Sequence, residues 1–273
     1  FDDESVEKPI KIELDLDDIR LNFIIIHDNK PYSKWRIMIN LLNHNNSDTS
    51  KNKFQYEKLN NFIIYFPENT ALRNFYKEGQ IEPLGVNGEG LLKLLQVIAQ
   101  DEEKINIILE TLELFNWFYS LEIPKQSLEN KVIIQDRFLK TVFDQRSTNE
   151  GFLFILFYAA LMVSDDTPAV FAVDNIDASL NPKLCTELIE NIANLAKQSD
   201  KQVFLTSHNP AILDGIDLND DEQRLFVVSR NKQGHTRVKR ITVENKPKSP
   251  TDEPIKLSEA FLHGYLGGLP TNF

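Results

Sequence analysis

Apolar positions along this chain fall into short runs of two periods, and their order sets the elements to expect. Pro9 to Leu16 alternates apolar and charged residues as a half-exposed strand does, and Asn22 to Ile26 is a second strand of the same first-lobe sheet. Tyr32 to Leu42 reads as a short helix. His44 to Lys53 has no periodic apolar residue and is expected to be a loop or a disordered insertion. A third strand is expected over Asn61 to Pro67. The Gly-rich stretch Leu84 to Gly90 then leads into apolar residues at helical spacing from Leu91 through Phe118, and Gln126 to Asp144 mixes polar residues with a short strand at Val132 to Ile134.

The second half is patterned more sharply. A polar loop, Ser147-Thr148-Asn149-Glu150-Gly151, opens an apolar helix from Phe152 to Val163. Val170 to Val173, bounded by Pro168 and a polar cluster, reads as a strand buried on both faces of a parallel sheet, and it stops on Asp174. After a turn at Ala178 to Pro182 comes a helix, then a second apolar strand from Lys201 to Leu205 that ends on Thr206-Ser207-His208. Arg224 to Arg230 and Thr236 to Ile241 form a hairpin with Gly234 in its turn. Asn245 to Pro254 reads as a linker, followed by a short helix and a Gly-rich end. This order predicts an α/β fold with a mixed, largely parallel sheet and a helical lobe. The expected division is sheet lobe 1–83, helical lobe 84–150, core 151–245 and tail 246–273.

Composition narrows the classes. With 273 residues and 41% hydrophobic content the chain can bury a full core. Its net charge of −11 excludes a surface that is basic overall, so contact with nucleic acid needs a local basic patch or a partner. One such patch is the hairpin, with Arg230, Lys232, Arg237, Lys239 and Arg240, then Lys246 and Lys248; a solvated, edge-protecting hairpin is the plainer reading, and contact with nucleic acid or an acidic partner is the other. No apolar run approaches the roughly 18 residues that span a bilayer. The acidic start lacks a signal-peptide core, and one cysteine, Cys185, suits a reducing cytoplasm and reads as a small buried hydrophobe.

The candidate chemistry gathers at the ends of the two apolar strands. A carboxylate at the carboxyl end of a parallel strand lies in the crevice where open α/β sheets bind ligands, which makes Asp174 the candidate Mg²⁺ anchor of a bound nucleotide. His208 ends the neighbouring strand at the same rim. The glycines of Leu84 to Gly90 are not a phosphate loop, because no Lys-Ser or Lys-Thr follows them; a turn that starts the helical lobe is expected. Residues 1–273 contain no Gly-x-x-x-x-Gly-Lys-Ser/Thr, and the chain starts at Phe1. The phosphate-cradling half of a nucleotide site is therefore expected upstream of Phe1 or is missing.

Taken together, the Ser147–Gly151 loop, the strand ending on Asp174, the Ala178–Pro182 turn and His208 resemble the signature loop, Walker B strand, D-loop and switch histidine of ABC-class ATPases. The branch is the SMC/RecF-like one, which includes ATPases of bacterial anti-phage defence. The spacing is 23 positions from Gly151 to Asp174 and 34 from Asp174 to His208. The Asp174-Asn175-Ile176-Asp177 version of the strand end and the tail from Leu257 to Pro270 are similar to the PtuA-type ATPases of Septu and retron-associated systems.

That resemblance implies an ABC-type P-loop core with a helical signature lobe, binding ATP and Mg²⁺. Asn149, Glu150 and Gly151 would approach the γ-phosphate held by a second protomer, with Asn149 where the family has serine; Asn149 also suits the cap of the Phe152 helix. Ser179 and Asn181 belong to the D-loop, and His208 would contact the γ-phosphate. Asn175 stands where most of the family has a glutamate that polarises the attacking water. An amide cannot accept that proton, so a general-base contribution of about 10²–10⁴ is expected to be lost unless Asp177 supplies it; Asp177 alternatively serves the D-loop or the helix cap. Implied partners are a second copy of the chain, in a homodimer or higher homo-oligomer, an HNH-type nuclease subunit, and nucleic acid or a retron RNA/DNA. A non-hydrolysing nucleotide sensor and a DNA-repair ATPase are the competing readings. A nuclease of the OLD kind lacks support, since Toprim acidic motifs are absent and too few residues follow Ile241.

Overall fold

The computed structural model describes residues 9–16, 19–26, 36–43, 61–75, 84–124, 130–247 and 255–267. The chain divides into two units, Phe1–Asn61 and Phe62–Phe273. In the first, β1 (Ile10–Leu16), β2 (Ile19–Ile26) and β3 (Arg36–Asn43) form an antiparallel sheet in that order.

The helix expected over Tyr32 to Leu42 is not formed, because Arg36 to Asn43 pairs with β2 from Ile26↔Arg36 to Ile19↔Asn43. Ile37, Ile39 and Leu41 alternate with Arg36, Met38 and Asn40, and the latter three are exposed. A short apolar run fits both periods, and the open edge of β2 decides for the strand. Residues 32–35 and the polar run His44 to Lys53 lie outside the described residues.

The second unit is built around one helix. Its strands β4 (Ile63–Tyr65), β7 (Val170–Val173) and β8 (Gln202–Leu205) form a parallel sheet with β7 in the middle, so the fold is α/β with a parallel sheet. Against it lies α4 (Glu150–Val163), in which every residue from Gly151 to Val163 is buried. A helix apolar all round belongs inside a core, and α4 is packed by the sheet and by α1 (Asn69–Arg73), α2 (Leu91–Ile98), α3 (Glu102–Leu112) and α5 (Pro182–Gln198). Tyr65 meets the rings of Phe157 and Phe171 edge-on at 5.9 and 5.8 Å, which locks helix to sheet.

The helical spacing read from Leu91 to Phe118 resolves into two helices and a strand. Asp101 breaks the run, accepting from the backbone N–H groups of Glu103 and Lys104 as the cap of α3. Phe118 begins β5 (Phe118–Glu122), antiparallel to β6 (Ile133–Asp136). The Leu84–Gly90 turn is structural: Phe66 and Glu68 N–H donate to the carbonyls of Val86 and Asn87, at 2.8 and 2.9 Å. Gly88 has φ +100°, and a Cβ there would lie 2.4 Å from Leu72 Cδ2.

A second cluster closes the unit. β9 (Leu225–Arg230) and β10 (Thr236–Ile241) form the expected hairpin, and α6 (Leu257–Leu262) packs Leu257 and Ala260 with Ile241 and Leu266. The Asp214 carboxylate accepts from Ser258 N–H (3.0 Å) and Oγ (2.7 Å), fastening α6 to the loop that follows His208.

Candidate functional site

The site is assembled where β7 and β8 end side by side. Asp174 N–H still donates to Tyr65 O (3.0 Å), and Thr206 N–H to Val173 O (3.1 Å), so both chain ends are held in sheet register one residue past the strands. Thr206 is the hinge of this rim. Its hydroxyl donates to Asp174 Oδ1 and also accepts from Asn175 N–H at 3.0 Å. Asn175 Nδ2 donates to the other carboxylate oxygen, at 3.3 Å. Both oxygens of Asp174 are therefore directed by neutral donors, and no cationic side chain is paired with it among the described residues.

Asn175 is in the left-handed backbone region, φ 53°, which Asn tolerates better than most side chains. Its turn is closed by Ala178 N–H to Asn175 O (3.0 Å) and Leu180 N–H to Asp177 O (3.2 Å), with Ser179 also left-handed at φ 59°. Asn181 then caps α5 by accepting from Leu184 N–H, with Pro182 in the first turn. Asp177 points at the neighbouring loop, where its carboxylate accepts from Ser207 Oγ at 2.6 Å. Ser207 Oγ accepts in turn from Asn209 N–H (2.9 Å), and Asn209 caps the 3-10 turn Pro210–Gly215. His208 stands exposed between these two anchored residues. Below them lie Tyr158 and Cys185: burial first, then the charge of Asp177, holds the Tyr158 phenol above its usual range and pushes the Cys185 thiol up to about 11.

The loop before α4 reaches the same edge. Asn149 Oδ1 accepts from Phe152 N–H at 2.7 Å, an N-cap, and Asn149 itself is exposed, with its Nδ2 available as a donor. Gly151 is buried against the turn after Asn175. A Cβ at Gly151 would lie 3.0 Å from both Ser179 O and Leu180 Cδ2, so the missing side chain lets the loop pack on that turn within one chain. Arg73 fixes the loop from behind, donating to the carbonyls of Gln145 (3.0 Å) and Arg146 (2.8 Å). Gln145, buried, accepts from Val132 N–H at 3.1 Å. Beside the loop is an open cleft of about 420 Å³, lined by Trp117, Leu139, Phe143, Ser147, Thr148 and Asn149 among others.

Asn149, Gly151, Asp174, Asn175, Asp177 and Ser179 thus lie on connected turns of the rim, with Glu150 in the first turn of α4, Asn181 at the start of α5 and His208 exposed between the anchored Ser207 and Asn209. Thr206, Ser207, Arg73 and Gln145 do positioning work that sequence reasoning missed. Thr206 and Ser207 could have been found from their place at the strand end; nothing local marks Arg73 or Gln145.

Mg²⁺ suits this donor set. Among the described residues no group of three or more His, Cys, Asp or Glu side chains is placed to hold a metal. Mg²⁺ ordinarily uses one or two carboxylates and completes its shell with substrate phosphates and water. Asp174 at the strand end, with its oxygens held by exchangeable neutral donors, fits that arrangement.

No curated protein is significantly similar to the chain. Among solved structures it is similar to the SmcHead bound to the C-winged helix domain of ScpA, with 13% identity, TM-score 0.49, and coverage of 85% of this chain and 70% of that one. For the SMC head domain from Thermotoga maritima the values are 11%, 0.40, 83% and 75%. For an Smc head domain with an extended coiled coil, bound to the C-terminal domain of ScpA derived from Pyrococcus furiosus, they are 11%, 0.47, 85% and 74%. Among the described residues no helix is long and apolar enough to cross a membrane. Over residues 109–214, which hold every candidate residue from Asn149 to His208, the chain matches the family described as "AAA domain, putative AbiEii toxin, Type IV TA system".

Proposed function

We propose that the chain is an ATPase subunit of the ABC type that binds ATP with Mg²⁺ at the β7–β8 rim and pairs with a second copy of itself around the nucleotide. The observation that carries this reading is Asp174 at the end of the central parallel strand, with Thr206 and His208 at the end of its neighbour. The match of residues 109–214 to an AAA domain supports it. In this reading Asp174 holds the cation and Thr206 orients the carboxylate. His208, exposed between two anchored residues, contacts the terminal phosphate. The first turn of α4, with its free N–H groups and the Asn149 amide, offers an anion site to the nucleotide of the partner copy. Bound Mg²⁺ supplies charge neutralisation on the phosphates.

Control of a partner nuclease of the HNH kind within anti-phage defence is the finer part of the proposal. It rests on the likeness of the Asp174–Asp177 segment and the tail to PtuA-type ATPases, together with the toxin-system description of the matching family. A second reading is favoured by Asn175. With an amide where a carboxylate would polarise water, and with Asp177 engaged by Ser207, the site holds nucleotide better than it cleaves it. The chain would then be a nucleotide sensor that releases its partner when ATP is depleted.

The test is calorimetric titration of the full chain with ATP in Mg²⁺. Asp174→Ala is expected to weaken Mg·ATP binding by about tenfold or more, a loss of about 1.4 kcal/mol, with the difference shrinking when EDTA removes the metal. Equal Mg·ATP affinity in wild type and variant would overturn the assignment.

A further inference from the structure

The β9–β10 ribbon is the most basic part of an acidic chain. From Leu225 to Val243 there is no Asp or Glu, while Arg230, Lys232, Arg237, Lys239 and Arg240 are all cationic, in a chain of net charge −11. Register decides where these charges point. The cross-strand pairs Arg240↔Phe226, Val238↔Val228 and Thr236↔Arg230 share one face, and all six residues are exposed, Val228 and Val238 by 62% each. The pairs Lys239↔Val227 and Arg237↔Ser229 put two further cations on the other face, and Lys232 sits in the tip turn. On that second face Leu225, Val227 and Ile241 root the base of the ribbon in the cluster with Leu257 and Leu266.

Most of this charge is uncommitted. Arg230 Nε donates to Gly234 O (3.0 Å), and Arg240 lies 3.7 Å from the Asp221 carboxylate. The side chains of Lys232, Arg237 and Lys239 have no hydrogen bond or ion pair among the described residues. A hairpin that only protects a sheet edge has no need of a carboxylate-free stretch with cations on both faces and at the tip. Exposed charge on both faces and at the tip suits a ligand that surrounds the outer part of the ribbon, whereas an acidic peptide would cover a single face. The major groove of B-form DNA, about 12 Å wide, admits a two-stranded ribbon and lines both its sides with phosphates. The exposed Val228–Val238 pair can meet thymine methyl groups on the groove floor.

We propose that the β9–β10 ribbon binds duplex DNA in the major groove, mainly through the phosphates and therefore with little sequence preference. The test needs no nucleotide: fluorescence anisotropy of a labelled mixed-sequence duplex titrated with the full chain over a NaCl series. The affinity of wild type is expected to fall steeply with salt. The triple variant Lys232→Gln, Arg237→Gln, Lys239→Gln should bind more than tenfold more weakly at about 0.1 M salt, and its log–log salt slope should be shallower by roughly 2.7, about 0.9 for each lost phosphate contact. Circular dichroism checks that the triple variant folds, and the single tip variant Lys232→Glu replaces it otherwise, with a loss of several-fold expected. No binding of the duplex by wild type, or an unchanged slope in a folded variant, would overturn the proposal. Tighter binding of labelled poly-glutamate than of duplex would overturn it in favour of an acidic protein partner.

Discussion

At Asn175 the backbone and the chemistry make opposite demands. The left-handed φ of 53° favours Asn, Asp or Gly, while water activation calls for a carboxylate. Asn175→Glu adds the carboxylate but strains the turn by roughly 1 kcal/mol; Asn175→Asp adds a shorter one without that strain. Steady-state phosphate release is expected to be slow in wild type and at least about tenfold faster in Asn175→Glu, a modest share of the 10²–10⁴ available to a positioned base. Rapid hydrolysis by wild type that Asp177→Asn abolishes without loss of binding would make Asp177 the base and end the sensor reading. At this scale much could be read from the sequence. Asp174 and His208 are singled out as candidates by lying at the ends of apolar strands and Asn149 by preceding a helix, while Asn181, which caps α5, was named only through the resemblance of its turn to a D-loop. The partner of Asp177 could not be read, because Ser207 reaches it across two strands and hydrogen bonds between distant residues leave no local pattern.

Among the elements, α4 and β8 are tied at their far ends by one lysine. Lys201 Nζ donates to Leu161 O (2.9 Å), Ser164 O (2.6 Å) and Thr167 Oγ1 (2.5 Å), satisfying carbonyls at the carboxyl end of α4. That bond fixes the helix whose other end carries Asn149 and Gly151 against the strand that leads to His208. Burial pushes the Lys201 ammonium from 10.5 down to about 8. The folded value lies below the unfolded one, so between these pH values the unfolded chain keeps a proton that the folded chain has released, and stability from this group rises with pH across the window. Melting temperatures of wild type and Lys201→Met are therefore expected to diverge in favour of wild type from about pH 8 to pH 10.5; a constant difference would show that Lys201 keeps its proton throughout. The elements were legible where the length and flanks of an apolar run decide, as in α4, β7 and β8, and where turn residues separate two strand-like runs, as in the hairpin. Arg36–Asn43 was misread as helix because strand pairing overrode an ambiguous run, and β5 was hidden behind helical spacing that Asp101 had already broken.

On the scale of the whole molecule, the rim is proposed to serve two copies at once, one giving Asp174 and the other the start of α4. Packing alone also explains part of what is seen, since Asn149 caps α4 and Gly151 seats the turn at Ser179 within a single chain. Asn149→Asp separates the two roles. Asp is as good an N-cap as Asn, so the fold is retained, but it places a negative charge where a phosphate of the partner copy would lie. The decisive measurement is sedimentation velocity of wild type and Asn149→Asp with saturating Mg·ATP. Wild type is expected to shift to a dimer that disappears without nucleotide, and the folded variant to remain monomeric. A wild type that stays monomeric with Mg·ATP bound, or a variant that dimerises equally well, would contradict the claim.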